Sequence, residues 1–122
     1  MRGIGGLVRL SQRGVQPRLA GMPSFRLELE IGQLRPGHDP SEVMDTAIAS
    51  LGGFHVDATD IAVSAGTPRI LLRFTVTDSS ETEENQAARL AAVHARDAVD
   101  EVADTGQLWV LRRRGGRWLP LG

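Results

Sequence analysis

Neither cysteine nor lysine occurs anywhere in these 122 residues. Without cysteine there can be no disulfide framework, no thiolate ligand for a metal and no thiol nucleophile. That usage fits a reducing compartment, and a cytoplasmic location is expected. Long apolar runs are lacking too. No stretch approaches the roughly 20 residues a membrane helix needs, and no continuous apolar stretch follows the charged start as in a secretory signal. No membrane association is therefore expected.

Catalytic signatures are equally scarce. No serine lies in a Gly-x-Ser-x-Gly elbow. The three histidines, His38, His55 and His94, include no pair at the i, i+4 spacing of a helical metal site. The glycine-containing stretch at 3–6 is not followed by a clear helix, and the one at 32–37 lacks the lysine and hydroxyl of a phosphate loop. The expectation is no catalytic residue, no metal and no cofactor.

What is present is an uneven charge distribution hidden under a net charge of −1. Residues 1–21 carry four arginines and no acid, for +4; residues 22–105 carry six arginines against all 15 acids, for −9; residues 106–122 carry four more arginines, for +4. An acidic body thus has two basic ends. The first 21 residues, rich in glycine and without a helical or strand period, are expected to be a disordered basic tail or an upstream extension. Residues 22–122 are expected to form one domain, in keeping with typical domain sizes of roughly 100–150 residues.

Period and punctuation divide that domain. Phe25, Leu27, Leu29 and Ile31 alternate with Arg26, Glu28 and Glu30, which predicts a half-buried strand. Asp39-Pro40-Ser41-Glu42 reads as a helix start with Asp39 as the cap, and Val43, Met44, Ala47, Ile48 and Leu51 follow at helical spacing up to Gly52-Gly53. A weaker strand over 55–64 and a turn at 65–68 lead to a second alternating strand through Ile70, Leu72, Phe74 and Val76. Ser80-Glu81-Thr82-Glu83 is a capping box. It opens a helix whose buried stripe is predicted to be Ala87, Ala91, Ala95, Ala98 and Val102, widened by Ala88 and Val99, and whose end is placed at Gly106. Glu28, Glu30, Glu81, Glu83 and Glu84 are all read as solvated. Two strands flanking Gly115-Gly116 close the chain. The order predicts an α+β fold, a ferredoxin-like βαββαβ plait with both helices on one face of an antiparallel sheet and an extra C-terminal strand.

In such a fold one sheet face stays open. Arg26, Glu28, Glu30, Leu71, Arg73 and Thr75 would line it, and the C-terminal hairpin would add Trp109 and Trp118, a residue type enriched at interface hot spots. The expected role is therefore a non-catalytic domain acting by self-association or by protein or ligand binding. The expected partner is a second copy, with Arg26, Glu28, Glu30, Leu71, Arg73, Trp109 and Trp118 as the interface; a small-molecule ligand is not identifiable. One alternative is nucleic-acid binding through Arg112, Arg113, Arg114 and Arg117, interleaved with the tryptophans. Plaits that read RNA carry aromatics on the central strands of the open face, however, where this chain has charge.

A second alternative rests on Met22-Pro23-Ser24-Phe25 ahead of an alternating strand. It resembles the tautomerase superfamily, which uses an N-terminal proline as general base. That resemblance implies an enzyme using Pro23 if the mature chain begins there; the long loop before the first helix departs from the family's pattern, and no partner arginine is matched. Arg35-Pro36-Gly37 resembles the turn before the helix in regulatory plaits of the ACT type and in dimeric α+β barrel proteins, with nothing matched outside that turn.

Overall fold

The structure, a computed structural model, describes residues 21–121. The tail assigned to residues 1–21 therefore lies, apart from Gly21, outside the described residues. Five strands and two helices follow in the order β1 (Ser24–Leu34), α1 (Ser41–Ser50), β2 (His55–Ser64), β3 (Thr67–Thr75), α2 (Glu81–Val99), β4 (Ala103–Arg114) and β5 (Arg117–Pro120). All strand pairs are antiparallel, and the sheet order is β2-β3-β1-β4-β5. The fold is α+β and compatible with a ferredoxin-like plait, although five strands do not make a clean four-stranded one.

The alternation in β1 and β3 decides which face is covered. Phe25, Leu27 and Leu29 pair across the strands with Phe74, Leu72 and Ile70, and all six are buried. Val43, Ala47 and Leu51 from the α1 region and Ala88, Ala91, Ala92, Ala95 and Val99 from α2 join the same core. The alanines leave room for aromatic packing, with Phe25 and Phe54 each against Phe74 at ring distances of 6.3 and 5.8 Å. Burying each large apolar side chain contributes about 1.5–3 kcal/mol.

Several local expectations need correction. Pro40, not Asp39, occupies the cap position of α1, and it offers no side-chain bond. Order there comes from Glu42, whose carboxylate reaches back to the Asp39 N–H at 3.0 Å and also meets His38 Nδ1 at 2.7 Å. The α2 stripe is rotated: Ala92 and Glu84 are buried, while Ala87 and Ala98 are only half-buried. Glu84 was expected on the solvated first turn, yet it is 4% exposed, because it lies between the Ser79 N–H and the guanidinium of Arg112. Ser80 does cap the helix, accepting from the Glu83 N–H at 3.1 Å.

Gly106 does not end α2, which stops at Val99. It lies within β4 at a register shift between Leu29 and Ile31, and the Gln107 N–H donates to Glu30 Oε1 at 3.0 Å. A Cβ at Gly106 would lie 2.7 Å from that oxygen and 3.0 Å from Glu30 Cβ, so the bulge favours glycine and a side chain there would have to displace Glu30. Both hairpins close with two-residue turns in which each central residue has positive φ, Ala65-Gly66 and Gly115-Gly116.

The two edges of the sheet differ. β2 is a ten-residue edge strand with Ile61 and Val63 at 62% and 69% exposure. Beside it, Ile31, Leu34, Val43, Met44, Ile61, Pro68 and Ile70 line an apolar groove of about 300 Å³. At the other edge β5 has only four residues and ends in Pro120, and the outer part of β4 beyond it carries the Gly106 bulge.

Candidate functional site

On the face opposite the helices, side chains form rows across the strands. Arg26 on β1 lies between Arg73 on β3 and Leu111 on β4, and Arg73 is flanked by Ala58 of β2. In the next row Glu28 lies between Leu71 and Trp109, and Asp60 faces Leu71. Glu30 opposes Arg69 in the third. Trp118 pairs with Arg113 in the β4–β5 hairpin.

Glu28 is the hub of this face. Its two oxygens take Arg26 Nη2 at 2.8 Å and Arg69 Nη1 at 3.0 Å. It is only 9% exposed, which corrects its reading as a solvated side chain. Burial is tolerated because two guanidiniums replace its water. Arg69 lies 4.0 Å above the Trp109 ring. Three further guanidiniums surround Trp118, with Arg26, Arg113 and Arg73 at 4.9, 5.2 and 5.6 Å from the ring centroid. Arg26, Leu71, Arg73 and Trp118 enclose, with Ala58, Thr59 and Asp60, a depression of about 270 Å³.

All seven residues assigned from sequence to an interface thus share one sheet face, although the Glu30 carboxylate is turned into the Gly106 bulge. Sequence reasoning passed over Arg69 and Asp57. Continuing the alternation of Arg73 and Leu71 backwards by two residues finds Arg69. Asp57, which approaches Arg73 Nε at 3.5 Å, sits at the irregularity between Val56 and Ala58 and has no such signal.

The C-terminal arginines do not form one surface. Arg112 points to the helix side, where it meets Glu84 at 2.8 Å and Asn85 at 2.9 Å. Arg114 pairs with Glu81 at 2.8 Å, Arg113 lies by Trp118, and Arg117 is exposed beside Arg114. Arg35, ahead of α1, meets Asp100 and Asp104 at 3.2 Å each. Pro23 stands before β1 and its carbonyl accepts from the Val76 N–H.

Two carboxylates are held below their ordinary range. For Glu84 the main cause is the Ser79 N–H, helped by Arg112 and Asp78 and opposed by burial. For Glu42 it is the His38 contact, then the Asp39 N–H. Both are anchors of helix starts. Among the described residues no group of three or more His, Asp or Glu is placed to hold a metal ion, and no helix is long and apolar enough to cross a membrane. No family model, no curated protein and no solved structure matches this chain.

Proposed function

We propose that this chain is a non-catalytic association module that works through the open face of its sheet, with a second copy of itself as the partner. The observation that carries the reading is that both tryptophans lie on that uncovered face, each held against arginine. A large ring fixed in advance loses little entropy on docking, and such rings dominate interface energetics. Leu71 and Leu111 add apolar area beside them, and the acidic residues Glu28, Asp57 and Asp60 let the face meet opposite charge on a copy of itself. The fold proposed is a ferredoxin-like plait with β5 added outside β4; the antiparallel order β2-β3-β1-β4 supports it. A cytoplasmic setting belongs to the same proposal and fits the lack of cysteine.

Nucleic-acid binding through the hairpin is less well supported, because Arg112 and Arg114 are engaged by Glu84 and Glu81. Sedimentation velocity tests the main reading. A dimer is expected at micromolar concentration and should dissociate in Trp118→Ala, whose ring is only half-buried. A wild-type chain that stays monomeric throughout that range overturns it.

A further inference from the structure

The open face is not evenly charged. Arg26 and Arg73 stand directly opposite each other on adjacent central strands, an arrangement of like charges that costs stability. Arg113 joins them around the same indole ring. The nearby acids do not neutralise this cluster. Glu28 is shared between Arg26 and Arg69. Asp57 reaches only Arg73, at a distance too long for a good hydrogen bond. Arg113 has no carboxylate partner among the described residues. Among the described residues these four guanidiniums have two carboxylates as ion-pair partners, Glu28 and Asp57, while Asp60 lines the depression without such a pair.

The surroundings strengthen the imbalance. The Nε atoms of Arg26, Arg69 and Arg73 are buried and make no hydrogen bond among the described residues, the Asp57 oxygen lying 3.5 Å from that of Arg73. Guanidiniums stripped of part of their water attract an anion more strongly than fully hydrated ones. Arg26 and Arg73 also line the depression of about 270 Å³, together with Leu71 and Trp118. That volume suits a small ligand, below the roughly 300–1,000 Å³ of sites for drug-sized molecules.

We infer that this depression binds a small free oxyanion, a phosphate or a carboxylate, between Arg26 and Arg73 and against Trp118. The inference rests on the open face being the working surface, and it names the chemistry that surface recognises. Planar guanidiniums favour both anions by paired N–H donation, and the anion relieves the repulsion across the β1–β3 pair. Asp60, which also lines the depression, sets a limit by disfavouring ligands with negative charge extended towards β2.

Thermal unfolding of the full chain at low ionic strength tests the site, with sodium phosphate, sodium acetate and sodium citrate as probes and sodium chloride as the ionic-strength control. Wild type is expected to gain roughly 5 °C from low-millimolar phosphate or from one of the carboxylates, and not from chloride. The probe that acts identifies the oxyanion class. Arg73→Gln is expected to lose that gain, yet to melt no lower than wild type without anion, since it removes a like charge. Arg26→Gln should lose the gain as well, while Arg96→Gln on α2 should keep it. The inference is overturned if no probe raises the wild-type midpoint beyond chloride, or if Arg73→Gln responds as wild type does. Sedimentation of the same samples separates the two proposals. An anion response in a chain that stays monomeric leaves the pocket and removes self-association, and a dimer without any anion response does the reverse.

Discussion

Changing Glu84 to glutamine keeps the shape of the side chain and deletes its charge. In the folded protein that carboxylate accepts from the Ser79 N–H at 2.8 Å and from Arg112 Nη2 at 2.8 Å, with side-chain exposures of 5% for Glu84 and 14% for Arg112. Glutamine can still accept one of these bonds. Where that bond is the one from Ser79, Arg112 keeps Asn85 as its remaining hydrogen-bond partner, largely covered and without a counter-charge. Hydrogen bonds to charged groups contribute about 1.5–3 kcal/mol. The pair lies at the margin of the core, so a loss of about 2 kcal/mol is expected, or roughly 10 °C in midpoint for a domain of this size. Chemical denaturation with unchanged slope would measure it.

The pH dependence has a definite sign. Glu84 has a folded pKa below the ordinary glutamate value of 4.5, so its contribution is complete above that value and disappears as pH falls through the lower, folded one. Wild type and Glu84→Gln should therefore differ most above pH 4.5 and converge in stronger acid. A double-mutant cycle with Arg112→Met should show positive coupling, because removing both charges abandons neither. Equal stability of the two chains at neutral pH, or a gap that widens towards acid, would refute the reasoning.

Two further substitutions probe the backbone. Gly106→Ala places a methyl group against Glu30, and a loss of about 1–3 kcal/mol is expected in urea unfolding, partly restored by Glu30→Ala, which removes the carboxylate contact and keeps the Cβ one. Ala65 has φ of 52° at the first central position of a two-residue turn; Ala65→Gly or Ala65→Asn should raise stability by about 0.5–1 kcal/mol, and a lowered midpoint would show that the turn is held differently.

Much of the sheet was legible because period two is a strong signal. Phe25 to Ile31 and Ile70 to Phe74 gave the covered face, and the residues between them gave the open one. The hairpin signal of Gly115-Gly116 placed Trp109 with Trp118 correctly, since pairing across a two-residue turn fixes which side chains share a face. The misreadings fall where a long-range partner decides. Glu84 and Glu28 are acids in local contexts that favour solvent, and arginines 28 and 41 residues away complete the pairing that makes their burial tolerable, beside the nearer Ser79 N–H and Arg26. Gly106 carries the mark of a helix end, but its use is set by Glu30, which lies on another strand. The arginine cluster around Trp118 draws on β1, β3 and β4, so no local window contains it.

The unlike edges of the sheet bear on how copies of this chain can add to one another. A sheet with two long, flat edges can recruit strand after strand, and such growth has no natural stop. Here one side offers ten residues of β2, while the other offers four residues closed by proline and then a bulged stretch. Among the described residues β2 offers the longest uncovered strand edge, so a strand pairing of β2 with β2 would consume it in both copies. Such a seam would close on a pair and leave the tryptophan face of each copy outside it.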